Sequence, residues 1–151
     1  MIGAFARPES WNFPLLLHVG GAAVFFGAVV LAAVSQLTAV RAPEPELLRR
    51  VAFRTLLIVG LPAYIVFRVG AEWLYEKYSD PLPDNIDDPT WIGIGYAVAD
   101  IGALVFLIAL VLAGIAARKP KGWLTKTSGV LSAILVVGLV IAIWAMGAKP
   151  T

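Results

Sequence analysis

Residues 13–40 read FPLLLHVGGAAVFFGAVVLAAVSQLTAV, an apolar run that contains one ionisable residue, His18. A helix needs about 20 such residues to cross the ~30 Å hydrocarbon core of a bilayer. The apolar core of a cleavable signal peptide is shorter, at about 7–15 residues, and follows a basic segment. Residues 1–12 hold no cluster of Lys or Arg, so the run is predicted to be a retained transmembrane helix from about residue 13 to 40.

Three further apolar runs follow, from about residue 51 to 75, 91 to 117 and 127 to 146. The chain is 60% hydrophobic and 15% charged, whereas a soluble domain averages about 45–50% apolar and about 25% charged residues. Backbone polar groups have no water to bond in a bilayer core, so each run is predicted to be helical. The sequence therefore predicts an all-α polytopic membrane protein. Its single transmembrane domain of residues 1–151 is expected to form an antiparallel four-helix bundle.

Prolines mark the breaks between these runs. Pro43 and Pro45 separate the first two runs, and residues 79–90 contain three prolines, which exclude a continuous helix there. Pro120 ends the third run. Pro62 lies inside the second run, where it is expected to kink the helix.

Charge is distributed unevenly among the connecting segments. Eight of the twelve basic residues lie in or beside the first and last connectors, whereas residues 79–90 carry four aspartates. By the positive-inside rule, the basic connectors are expected to be cytoplasmic. Both termini and the acidic loop 79–90 are then extracytoplasmic, in a plasma (inner) membrane. The basic residues are Arg41, Arg49, Arg50, Arg54, Arg118, Lys119, Lys121 and Lys126, and the aspartates are Asp80, Asp84, Asp87 and Asp88.

Four ionisable residues interrupt the apolar runs: His18, Arg68, Glu72 and Asp100. A charge at the centre of a membrane helix costs ~2.5–3.5 kcal/mol on insertion scales, so such residues usually pair or line a cavity. Counted at ~1.5 Å per residue, His18, Arg68 and Asp100 fall in one layer in the outer half of the bilayer. Tyr96 lies one turn from Asp100 and is expected to join this layer. These five residues are the predicted binding or proton-relay candidates.

The polar layer permits two interpretations. In the first, it lines an outward-facing pocket that binds or conducts a small solute or ion, or relays protons through Asp100 and His18. In the second, Arg68 pairs with Asp100 or Glu72, and the chain is a non-catalytic accessory or assembly subunit whose buried charges are structural. In either case the expected partners are the bilayer and either a second copy or another membrane protein.

The residues that several classes of functional site require are absent from this sequence. There is no cysteine and one histidine, which excludes thiolate ligands, a two-histidine haem and a three-histidine zinc site within one chain. Haem ligation by His18 and Met146 is the least favoured hypothesis, since no other feature signals a haem cavity. No nucleotide-binding or hydrolase motif occurs, and a net charge of +2 indicates no nucleic-acid partner. We predict no catalytic residue, metal or cofactor.

Residues 15–27, LLLHVGGAAVFFG, place a histidine before a pair of glycines near the outer end of the first run. This segment resembles the first helix of DUF2269-type integral membrane proteins and, more distantly, of the copper-resistance D-like family. The resemblance implies a bacterial inner-membrane location and no established activity. Copper-resistance D-like proteins are longer and richer in His and Met, so copper transport is not implied for this chain.

Overall fold

A computed structural model describes residues 9–79 and 89–148, which are almost entirely helical and contain no strand. A 3₁₀ turn, Glu9–Trp11, leads into helix α1, Asn12–Ala39. Helix α2 covers Glu46–Ser79, α3 covers Thr90–Arg118 and α4 covers Gly122–Ala148. All four helices are long and apolar enough to span a membrane, which confirms the four predicted helices. Most of the predicted acidic loop, residues 80–88, lies outside the described part of the chain.

Helices α2 and α4 begin several residues earlier than their apolar runs. Helix α2 starts directly after Pro45, and α4 starts at Gly122, directly after the last connector. Hydropathy marks only the apolar part of a helix, so it missed these polar first turns. The first turn of α2 matters because it carries Arg49, which contacts α4.

A π-helical segment, Thr55–Gly60, lies within α2 immediately before the predicted kink at Pro62. Proline has no amide hydrogen and cannot complete the regular bonding of the preceding turn. The Leu61 amide donates to the Leu56 carbonyl, five residues back. Gly60 faces the Phe106 ring, which would lie 3.3 Å from a Cβ at this position. The missing side chain leaves room for the Phe106 ring of α3 to pack against α2 at this level.

Helices α1 and α2 meet backbone to backbone. A Cβ added to Gly21 would lie 2.6 Å from the Phe67 amide nitrogen, and one added to Gly70 would collide with the His18 backbone. Glycine is required at both positions because any side chain would separate the helices. Along this contact the residue order is opposed: residue 18 meets residue 70, and residue 21 meets residue 67.

Aromatic side chains fill the centre of the bundle. The Phe25 ring lies 5.1 Å from Phe106 and 5.4 Å from Tyr64, and Tyr64 lies 6.0 Å from Phe106, all between ring centroids. Phe67 completes the aromatic cluster, 5.9 Å from Tyr64. These rings come from α1, α2 and α3, and they pack at the distances that favour aromatic pairs.

Helix α4 closes the bundle by packing on both α3 and α1. Leu135 covers Gly102 and Met146 covers Gly95 on α3, while Gly129 receives Leu37 of α1. Helix α3 also approaches the first part of α2, Glu46–Arg54, closely. Toward Leu61–Ser79 the backbones of α2 and α3 have few close approaches, and side chains bridge the space between them.

We expect Gly21→Ala and Gly70→Ala to destabilise the protein, because the added methyl group would push α1 away from α2. Overpacked sites of this kind typically cost about 1–3 kcal/mol. Gly20→Ala is the matched control, since nothing lies within 4 Å of a Cβ at that position. Thermal unfolding of the purified variants in one detergent measures the difference. Equal losses at residues 20 and 21 would contradict the direct backbone contact.

Candidate functional site

Arg68 connects α2 to α3 through a charged network. Its Nη2 atom lies 2.9 Å from Glu72 Oε1, one turn away on the same helix, and 2.9 Å from Asp100 Oδ1 on α3. The four-residue spacing places Glu72 on the face of α2 that carries Arg68. The forked guanidinium can bind two carboxylates together. The network therefore crosses the part of the bundle where the backbones of α2 and α3 are far apart.

Two tyrosines border this network. The Tyr96 hydroxyl donates to Glu72 Oε2 over 3.2 Å, and the Arg68 guanidinium carbon lies 5.1 Å from the centre of the Tyr96 ring. A cation over an aromatic face is attracted by the quadrupole of the ring. On the core side, the Tyr64 hydroxyl donates to the Ala99 carbonyl at 3.3 Å. We call Arg68, Glu72, Tyr96 and Asp100 the charged network from here on.

The carboxylates of the charged network face outward. The Arg68 side chain is 27% exposed, whereas Glu72 is 51% and Asp100 is 62% exposed. With both acids ionised the network carries one net negative charge. Two surface depressions, of about 500 and 190 Å³, are lined by other residues, the first in the connector after α1 and the second between α3 and α4. The network is therefore an exposed patch on the side of the bundle.

His18 belongs to a different contact. Its Nδ1 lies 3.4 Å from the Phe67 carbonyl oxygen, and its ring lies 5.2 Å from the Phe67 ring. In the described parts of the chain it forms no hydrogen bond or ion pair with the charged network. The structure thus joins four of the five predicted candidates and leaves His18 between α1 and α2.

Met146 does not share the surroundings of His18. Its methyl group packs on Gly95 of α3, whereas His18 packs on α2. Among residues 9–79 and 89–148, no three His, Cys, Asp or Glu side chains are grouped as metal ligands.

A second polar cluster lies inside the bundle, near the basic connectors. Gln36 Nε2 of α1 donates to Ser128 Oγ of α4 over 2.7 Å, and Ser128 Oγ donates to the Ala109 carbonyl of α3, also over 2.7 Å. Arg49 Nε donates to Thr125 Oγ1 over 3.1 Å. Gln36, Thr125 and Ser128 are at most 1% exposed. These bonds join α1 to α3 and α4, and α2 to α4.

The second cluster is not predicted from the sequence because its members are uncharged or lie outside the apolar runs. Thr125, Ser128 and Ser132 do recur at intervals of three and four residues, which places them on one face of a helix. That spacing was the available signal. Ser132 is fully buried, yet its Oγ has no hydrogen-bond partner among the described residues.

No family model, curated protein or solved structure matches this chain. The resemblance of residues 15–27 to DUF2269-type proteins stays a prediction. The site must be interpreted from its own geometry.

Ser128→Ala should lower the free energy of unfolding by about 1–2 kcal/mol, because it leaves the buried amide of Gln36 without its acceptor. Ser132→Ala is the matched control on the same helix face, and we expect little change because its hydroxyl has no partner. Chemical unfolding in mixed micelles compares the two. A larger loss for Ser132→Ala would contradict the bonding described.

We expect Arg68→Gln to destabilise the protein more than Asp100→Asn or Glu72→Gln. Either acid variant leaves one neutral Arg–carboxylate pair, whereas Arg68→Gln leaves two carboxylates without a countercharge. One uncompensated charge at bilayer depth costs ~2.5–3.5 kcal/mol on insertion scales, so the extra loss should be about 2 kcal/mol or more. Unfolding in lipid nanodiscs at neutral pH measures it. Similar losses in all three variants would show that the ion pairs do not act as one unit.

Proposed function

We propose that the chain is a multi-pass protein of a bacterial inner membrane, built as an antiparallel bundle with both termini and the acidic segment on the extracytoplasmic side. Four helices long and apolar enough to cross a membrane support this proposal. The opposed residue order of the α1–α2 contact supports antiparallel neighbours. The eight basic residues of the connector regions support the orientation by the positive-inside rule.

Within this membrane, the protein acts as a non-catalytic assembly subunit. The charged network is the contact through which it associates laterally, and its first partner is a second copy of the same chain. The observation that carries this proposal is the exposure of the two carboxylates, 51% for Glu72 and 62% for Asp100. Side chains this exposed at bilayer depth would face lipid in an isolated bundle, which is costly. A neighbouring protein surface that covers them removes this cost.

The chemistry of the network suits a symmetric contact. In a two-fold interface, one patch meets the same patch on the partner, so it must contain groups that complement each other. The network offers a guanidinium and a phenol as donors and two carboxylates as acceptors. Exposed apolar side chains lie close to these residues in the sequence of both helices and would add packing area: Ile65 and Val69 on α2, and Leu104 on α3.

A second function is favoured by the charge balance of the network. One Arg and two carboxylates leave one negative charge without a countercharge in the described structure. A proton or a small cation would neutralise it, and the site would then bind or relay that cation at the membrane-embedded carboxylates. This is the ion-binding interpretation of the sequence, with the site on a surface between two helices in place of an outward-facing pocket.

The test of the assembly function is the mass of the purified protein in nanodiscs and by native mass spectrometry. We expect the wild-type chain to be a dimer or larger oligomer, and Asp100→Asn to shift it toward the monomer by about tenfold in dissociation constant, the equivalent of ~1.4 kcal/mol. Glu76→Gln is the matched control, since this exposed carboxylate lies one turn beyond Glu72 on α2 and outside the network.

A wild-type chain that stays monomeric at high protein-to-lipid ratio would contradict self-association through this patch. If that monomer takes up one proton or cation, and Asp100→Asn abolishes the uptake, the second function is favoured. If Asp100→Asn and Glu76→Gln weaken the oligomer equally, the contact does not depend on the network.

A further inference from the structure

The connector end of the bundle carries a large excess of positive charge. Residues 40–54 and 118–126 together contain eight basic residues and two acidic ones, Glu44 and Glu46. Eight minus two leaves six unbalanced positive charges. Glu46 is already bound by Arg50, with 3.1 Å between Oε2 and Nη2. The remaining basic side chains at this end must find countercharges outside the described protein or stay in solvent.

Arg49 differs from its basic neighbours in how it is held. It is half-buried, whereas Arg41, Arg50 and Arg54 are exposed. Its Nε donates to Thr125 Oγ1 over 3.1 Å, and Thr125 is fully buried at the start of α4. This bond uses one of the five N–H donors of a guanidinium. Arg49 forms no ion pair with a described carboxylate, so the two terminal nitrogens of a positioned guanidinium keep their charge and donors.

Large apolar side chains are exposed on the same turns of both helices, on other faces than Arg49 and Thr125. Leu47, two residues before Arg49, is 71% exposed, and Trp123, two residues before Thr125, is 61% exposed. Tryptophan is enriched where a membrane helix meets the headgroup layer. These exposed apolar groups indicate that this end of the bundle lies at the boundary between hydrocarbon and headgroups, the level at which lipid phosphates are found.

We propose that Arg49, oriented by Thr125, holds the phosphate of an anionic phospholipid at the junction of α2 and α4. Arginine binds phosphate through two parallel N–H donors, which gives geometric selectivity as well as attraction. The excess positive charge at this end favours an anionic headgroup over a zwitterionic one. This inference rests on the proposed membrane location and is independent of the charged network, which lies near the opposite ends of the helices.

The experiment uses charge-conserving variants, since any lost positive charge would weaken general attraction to an anionic surface. Wild type, Arg49→Lys, Arg54→Lys and Thr125→Val are purified from mixed phosphatidylglycerol and phosphatidylcholine membranes, and the lipid retained is measured by native mass spectrometry. We expect wild type to retain phosphatidylglycerol selectively. Arg49→Lys should reduce that retention about fivefold or more, because lysine lacks the planar fork. Arg54→Lys changes an exposed residue on the same helix and should leave phosphatidylglycerol retention unchanged. Thr125→Val should give a retention between those of wild type and Arg49→Lys.

Four results would contradict the proposed phospholipid site at Arg49. Equal retention in Arg49→Lys and Arg54→Lys would indicate diffuse attraction, and equal retention of phosphatidylcholine would exclude selection by charge. Inorganic phosphate that displaces the lipid would assign the site to a free anion. A Thr125→Val variant with full retention and unchanged melting temperature would show that Arg49 is not positioned by that hydroxyl. Recovery of the wild-type chain in the membrane fraction tests the location separately.

Discussion

The direct contact between the backbones of α1 and α2 governs the arrangement of the whole site. Gly21 and Gly70 allow the two helices to touch along a register in which Phe67 points into the bundle. The next residue, Arg68, is turned by the helical period toward α3, where it reaches Asp100 at 2.9 Å. A wider spacing of α1 and α2 would move Phe67 out of the aromatic cluster and with it the guanidinium. The location of the charged network therefore depends on two glycines that carry no chemistry.

Two polar clusters join the helices at different levels of the bundle. The charged network joins α2 to α3 where their backbones are far apart, and it is exposed. The cluster of Gln36, Thr125 and Ser128 joins four helices with neutral groups or a single guanidinium, and its three named members are buried. The aromatic cluster of Phe25, Tyr64, Phe67 and Phe106 lies between them. This separation is physically reasonable, because neutral hydrogen bonds can be buried at low cost whereas ionised groups favour partners or water.

Hydropathy predicts the helices and the charged residues within them, whereas the geometry between helices cannot be predicted from it. The four helices follow from the length and hydropathy of their runs, and their breaks follow from proline. Arg68, Glu72 and Asp100 could be identified because charge is rare in such runs, and the spacing of Arg68 and Glu72 placed them on one helix face. Only its depth in the bilayer groups His18 with these residues. Depth along a helix axis gives no information on which face a residue occupies relative to another helix, and His18 faces Phe67.

The sequence by itself determined that the protein is all-helical. Its hydropathy defines four helices that are long and apolar enough to span a membrane, and its prolines separate them, because helices satisfy the backbone hydrogen bonds of such apolar runs. It also determined which residues carry charge in those helices. The tertiary structure decided that the carboxylates face outward on the side of the bundle, that His18 stands apart, and that Arg49 is oriented by a buried threonine. The physical reason is that these outcomes depend on helix rotation and on the separation of helix backbones. Both are set by contacts between residues far apart in the chain, such as Gly21 with Phe67 and Arg49 with Thr125.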